Sequence, residues 1–292
     1  MIDHARGSIR RNALKRELHE IAAGHGTRLH FDLDATGFDA ALVLAQATAR
    51  MKMTSIELRR LVTAFHKNGS MNAVIDGLSA RNVDRRIRCC RTAGSLRMES
   101  VVPWLTPLLR AKDARVSGSA ARALGRIGGT QAADALLGAV QRSGPRRVFI
   151  LALAQAAPDL FVETALCSDR RPGALGAVAI AAGLRRRRTA IGPLVALLGS
   201  GTHRQRVICC RALGWINAAS AIPAVSTALY DRDWRVRISA IKSLTVLHAE
   251  SSFDQIEMLL QDPDLRVRRV ARRSLRRLGN LMVRRDARWL WH

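Results

Sequence analysis

The stretch from Asp233 to Leu244 returns, 31 residues on, as Asp264 to Leu275. Each copy opens with an acid, follows it with a Val-Arg pair (Val236-Arg237, Val267-Arg268) and then places small or apolar residues at Ala240, Ser243 and Leu244, or at Ala271, Ser274 and Leu275. Earlier copies stand at Gln205-Arg206 with Cys209, Ala212, Leu213 and Gly214, at Val116-Ser117 with Ala120, Ala123, Leu124 and Gly125, and at Arg85-Arg86 with Cys89, Thr92, Ala93 and Gly94. Degraded copies begin at Arg146-Arg147 and Arg170-Arg171, so successive steps are 31, 30, 24, 35, 31 and 31 residues. The short step beside the long one reads as a deletion and a compensating insertion. A unit of this length cannot bury its apolar face alone, and stacking with its neighbours supplies the core. The chain should therefore be an all-α α-solenoid of seven helix pairs.

Within a unit, the first helix carries the phrase. Val267, Val270, Ala271, Ser274, Leu275 and Leu278 form one stripe at the helical period. Gly128-Gly129, Asn217 and Gly279-Asn280 are expected to break it. Second helices are shorter, from Ala190 to Leu198, Ala219 to Leu229 and Ser252 to Leu260. Pro193, Pro223 and Pro103 fall in their first turns, where a missing amide costs little, whereas Pro107 lies deeper and should kink its helix. Connectors such as Gln261-Asp262-Pro263-Asp264 provide the turn and the next N-cap.

The period, the Asp-x-x-Val-Arg phrase, the Ala-Leu-Gly ending and the early Pro resemble HEAT repeats, most closely the short bacterial kind that also occurs in phycobilin lyases. The resemblance covers roughly residues 82–280. It implies a right-handed, armadillo-like superhelix with second helices on the concave wall; the protein itself is expected to be bacterial and cytoplasmic, peripheral at the inner face of the membrane if its basic surface meets lipid. It is nearly silent on function, since such repeats serve unrelated tasks. Residues 1–81 do not keep the phrase and read as an N-terminal helical cap or degenerate repeat, with Ile9, Ala13, Leu14, Leu18 and Ile21 facing inward. Residues 82–292 form the array, ending in an Arg- and Trp-rich tail with Trp289 and Trp291.

Charge is the most functional-looking feature: 48 basic residues against 23 acids give a net charge of +25. That sign favours nucleic acid, anionic lipid or acidic partners. Position narrows the choice. Asp233 with Arg237, and Asp264 with Arg268, are four apart at the start of their units, which the resemblance implies is a structural ladder. Arg185, Arg186, Arg187 and Arg188, with Arg269, Arg272, Arg273 and Arg276, form like-charge clusters that read as polyanion-binding. Second helices instead carry acids. Gln131, Asp134, Thr227, Gln255 and Glu257 are the candidates for contacting a partner protein on the concave wall. Twelve aromatics are too few to line the basic, aromatic groove of DNA-glycosylase relatives.

Searches for chemistry return little. Cys89-Cys90 and Cys209-Cys210 sit in equivalent slots, as small buried side chains rather than metal ligands, and five cysteines without a secretion signal suggest a reducing compartment. No run approaches the roughly 20 apolar residues of a membrane span. His25 and His30 flank one loop, and Gly24-His25-Gly26 lacks the setting of a nucleotide fingerprint. The expectation is a non-catalytic scaffold or adaptor for another protein, with a basic outer surface for an anionic membrane or other polyanion, and with no cofactor, metal or small-molecule substrate. A nucleic-acid-binding HEAT-like protein is the first alternative, and a lyase-type HEAT protein the second.

Overall fold

A computed structural model of the chain describes residues 2–27, 29–34, 39–52, 54–67, 69–168 and 172–289, the side chains of 2–5, 172 and 280–289 excepted. Among the described residues there are helices and no strands. They form two compact units, Met1–Pro158 and Asp159–His292.

The first unit contains α1 (Ile2–Ala23), α2 (Ala40–Thr48), α3 (Ile56–Lys67), α4 (Ser70–Leu78), α5 (Val83–Ser95), α6 (Val102–Leu108), α7 (Ala114–Ile127), α8 (Gly129–Ser143) and α9 (Arg147–Ala156). The second contains α10 (Asp159–Cys167), α11 (Pro172–Leu184), α12 (Ile191–Ser200), α13 (His203–Ile216), α14 (Ile222–Thr227), α15 (Trp234–Val246), α16 (Phe253–Met258) and α17 (Leu265–Trp289). First helices pack side by side in each unit, α2–α5–α7–α9 in one and α11–α13–α15–α17 in the other. Short 3-10 turns flank α14 and α16 on both sides and precede α6 and α12. The degraded phrase at Arg170-Arg171 lies outside the described residues.

The recurring phrase has a physical role at each slot. The acid or its substitute caps the first helix: Asn82, Asp113, Asp233 and Asp264 accept from Arg85, Arg115, Arg235 and Arg266 amides at 2.7–3.0 Å. Thr202 forms a capping box with Gln205. The glycine of the Ala-Leu-Gly ending lets the next first helix close in. A Cβ on Gly94 would stand 2.7 Å from Ala123 Cα, and one on Gly183 would stand 3.0 Å from Ala212 Cα. Ser239 and Ser243 fasten α15 to α13 by donating to the Val207 and Cys210 carbonyls at 3.0 and 2.6 Å.

Four first helices, α5, α11, α13 and α15, are followed by a turn through a left-handed residue. Arg97, Arg186, Asn217 and His248 have φ of 51, 51, 61 and 53°, and the last three are spaced by 31 residues. The expected breaks at Gly128 and Asn217 are present; those at Arg97, Arg186 and His248 are additional. Gly279-Asn280 does not break its helix, because α17 continues to Trp289. One interior glycine costs about 1 kcal/mol and is outweighed by the Leu-, Arg- and Met-rich turns around it. Pro107 ends α6 within one residue.

Ala120, Leu124, Leu213, Ala240, Leu244 and Ala271 are fully buried, as are Cys89, Cys90, Cys209 and Cys210. Leu275 is half-buried. In α1 Leu14, Leu18 and Ile21 are buried as expected and Gly7 is buried one heptad earlier, whereas Ile9 and Ala13 are exposed. The inward set expected there is wrong at Ile9 and Ala13, which lie off the face defined by Gly7, Leu14, Leu18 and Ile21.

Candidate functional site

In the second unit, α12 and α14 run toward a shared groove of about 600 Å³. Val195 and Leu198 come from α12, Ala224 and Thr227 from α14, and Tyr230 and Arg232 from the turn that follows. The local pattern explains why these side chains are available. Leu194, Val225 and Leu229 take the core side of their helices. Val195 and Ala224 are half-buried, and Thr227 is exposed with its hydroxyl donating to the Pro223 carbonyl at 3.1 Å. Tyr230 leaves 59% of its surface to solvent, an uncommon exposure for an aromatic ring.

The groove is rigid at one end. Arg206 and Asp231, both among its lining residues, are joined by two hydrogen bonds, Nε–Oδ2 at 2.7 Å and Nη2–Oδ1 at 3.0 Å. The same bidentate pair recurs one repeat on between Arg237 and Asp262, at 2.7 and 2.8 Å. Arg237 also donates to the Asp231 carbonyl at 2.8 Å, and Arg268 to the Asp262 carbonyl at 2.6 Å. Arg206, Arg237 and Arg268 are thus successive rungs of one ladder. Its acids are Asp231 and Asp262, not the expected Asp233 and Asp264. Those two are held two residues further on as helix caps, paired with Arg235 and Arg266, so their carboxylates are already committed. Burial pushes the Asp231 carboxyl up, but the Arg206 hydrogen bonds, the Asp233 amide and the charges of Arg206 and Arg237 outweigh it and hold it below its ordinary value.

Gln255 and Met258 of α16 stand in the slots of Ala224 and Thr227, one repeat later. Met258 and Glu257 are exposed, whereas Gln255 is half-buried with its Oε1 enclosed and lacking a hydrogen-bond partner. Sequence reasoning selected Thr227, Gln255 and Glu257 in this unit and missed Tyr230, Met258 and Arg232. The signal available for Tyr230 was that it is the chain's single tyrosine, at the end of a second helix. Gln131 and Asp134 are exposed on α8, in the first unit.

The first-helix face of the second unit is different. Arg211, Lys242 and Arg273 repeat at 31 residues and are exposed, without an acid between them on that face of their helices. Arg269, Arg272 and Arg276 are exposed on α17. The run at Arg185 to Arg188 is not one surface. Arg185, Arg186 and Arg188 are exposed, while Arg187 turns inward onto Asp159 with 13% of its side chain exposed. An apolar row also went unread: Leu184, Trp215 and Val246, again 31 apart, are each more than 40% exposed and share one cleft of about 450 Å³. The tail's Trp289 and Trp291 side chains lie outside the described residues.

Chemistry is sparse. Among the described residues no group of three or more His, Cys, Asp or Glu is placed to hold a metal ion. His30 is held by Glu17, with Nδ1 2.5 Å from Oε1. Burial pushes the Cys89 thiol up to about 11 and those of Cys90, Cys209 and Cys210 up to about 12, far from a reactive thiolate. No helix among the described residues is long and apolar enough to cross a membrane.

A family model described as HEAT repeats matches residues 71–157, 161–244 and 193–276. No curated protein matches the chain. Among solved structures, human deoxyhypusine hydroxylase in complex with glycerol is similar at 16% identity and a TM-score of 0.38, over 92% of this chain and 98% of that one. An engineered protein is similar at 18% and 0.38, over 91% and 84%. The complex of CpcE and CpcF of phycocyanin lyase from Nostoc sp. PCC7120 is similar at 18% and 0.31, over 86% and 100%. Likenesses of this size say nothing of activity.

Proposed function

Because the chain belongs to the HEAT-repeat family, whose stacked helix pairs build extended binding surfaces, we propose that it is a non-catalytic scaffold that holds a partner protein in the second-helix groove of its second unit. The observation that carries this reading is the groove itself: an apolar floor, an exposed Tyr230 and Arg232 at the rim, and a rigid Arg206–Asp231 pair beneath. Tyr and Arg are the residue types that most often dominate binding energy at protein interfaces. Thr227, Gln255 and Glu257 belong to this surface; Gln131 and Asp134 provide a corresponding polar row in the first unit.

The outer basic surface is a second contact, to an anionic membrane or other polyanion. Arg185, Arg186, Arg188, Arg269, Arg272, Arg273 and Arg276 carry it, with Arg211 and Lys242 between them. Arg187, committed to Asp159, is left out of this set. Affinity capture from the source cells tests both contacts together. The expected partner protein is retained after nuclease treatment and lost with Tyr230→Ala. Loss of every partner on nuclease treatment with the Tyr230→Ala variant unaffected would instead make this a nucleic-acid-binding protein.

A further inference from the structure

The first unit contains a basic cavity that the second-unit groove does not account for. Its volume is about 450 Å³, and it is lined by Leu42 and Ala45 of α2 and its C-cap Ala49, by Arg91 and Gly94 of α5, by Arg122 and Arg126 of α7, and by Gln155 of α9. Three physical features make it a built site. First, α2 lies outside the repeated phrase yet forms a wall, and Asp39 locks it in place. That carboxylate caps α2 by accepting from the Leu42 amide at 2.9 Å and also binds the Arg91 guanidinium on α5.

Second, positive charge in the cavity exceeds what its neighbours neutralise. Arg91 has Asp39, but among the described residues Arg122 donates only to the Ser119 hydroxyl at 3.4 Å and Arg126 only to the Ser95 hydroxyl at 3.3 Å. Both are long contacts to neutral groups. Arg97 stands near enough that burial, together with the Arg126 charge, lowers its affinity for its proton. Third, the fold does not call for arginine at position 126. The same slot, ten residues after the start of the phrase, holds Ser95 in the first unit and Trp215 and Val246 in the second, and arginine again at Arg277 in the last copy.

We propose that this cavity is an oxyanion site, in which Arg122 and Arg126 take the phosphate or carboxylate end of an organic anion while Leu42, Ala45 and Ala49 receive its apolar part. Guanidinium groups suit both headgroups, because their planar fork presents paired N–H donors. Ser119 and Gln155 supply further hydrogen-bonding groups at the edge of the cavity. Carrying the arginines on rigid helices rather than a loop keeps them oriented before the anion arrives. The site goes beyond the scaffold reading and is independent of it, since every residue that lines it is in the first unit.

Calorimetry and thermal unfolding with inorganic phosphate, butyl phosphate and hexanoate, each against chloride at matched ionic strength, test the proposal. Butyl phosphate or hexanoate should bind more tightly than inorganic phosphate, and the better of the two identifies the headgroup. Arg122→Gln with Arg126→Gln should weaken that binding by about tenfold or more, as expected when charge-assisted hydrogen bonds are lost. Arg126→Leu, which copies the apolar occupants of the sister slots, should keep the fold and show the same loss. Binding no stronger than that of chloride in the wild type, or equal binding in wild type and the Arg126→Leu variant, would overturn the site. Capture of a partner protein through Tyr230 is unaffected by either result.

Discussion

Arg237 grips Asp262 with two hydrogen bonds, 2.7 and 2.8 Å long, across 25 residues of sequence. The Asp262 side chain is only 3% exposed and that of Arg237 12%, so the pair closes one repeat onto the next in a largely water-free place. Removing one partner leaves an uncompensated buried charge. Arg237→Ala should therefore cost about 3 kcal/mol or more of unfolding free energy in urea titrations. Arg237→Met combined with Asp262→Leu should recover most of that loss, because desolvation of both charges disappears together. A cost below about 1 kcal/mol for Arg237→Ala would reduce the ladder to a surface contact.

Asp231 gives the ladder a pH dependence of defined sign. Its folded-state pKa lies below the ordinary 3.8. The stability it contributes is therefore fully present above that value and is lost as pH falls through the lower folded-state value. Thermal unfolding of wild type and Asp231→Asn should differ most near neutrality and converge toward acid. A gap that is constant with pH would mean that the carboxylate charge is not what Arg206 recognises.

Close helix contact makes two glycines behave oppositely. A Cβ on Gly94 meets the Ala123 backbone at 2.7 Å, whereas one on Gly118 meets only the Arg122 guanidinium, at 3.6 Å. Gly94→Ala should destabilise by about 1–3 kcal/mol through overpacking. Gly118→Ala should be neutral or stabilise by up to about 1 kcal/mol from helix propensity. Chemical denaturation of the two variants side by side checks the contrast.

Four of the five cysteines are buried, with thiols pushed up to about 11 or 12, and Cys167 is exposed. At neutral pH, N-ethylmaleimide should modify one thiol in the native protein and all of them after denaturation, as counted by mass spectrometry. Rapid modification of Cys89 or Cys209 in the native state would contradict their place in the core.

The repeat was legible because the same residue types fall at a fixed offset: caps, small core residues and the closing glycine are each read from immediate neighbours. The ladder was read only in part. Arg237 and Arg268 were visible, but a cap and an ion pair draw on acids two residues apart, and the true partner of Arg237 lies 25 residues on, where no local pattern points. Tyr230 was missed because it follows α14 in a 3-10 turn, outside the second helix's regular spacing. The basic cavity could not be inferred from the repeats at all, since α2, which supplies its wall, does not carry the phrase. The row of Leu184, Trp215 and Val246 was legible in principle, but a stripe search looks for buried positions and passes over an exposed slot.

The scaffold reading is tested most directly by a photo-crosslinking amino acid placed at position 227 in the source cells, with a control at position 9, where Ile9 is exposed on α1. Irradiation should give one discrete protein adduct from position 227. That adduct should survive nuclease, be absent from position 9, and disappear when Tyr230→Ala is added. An adduct pattern identical at both positions, or no protein adduct at position 227, would contradict a partner seated in the second-helix groove.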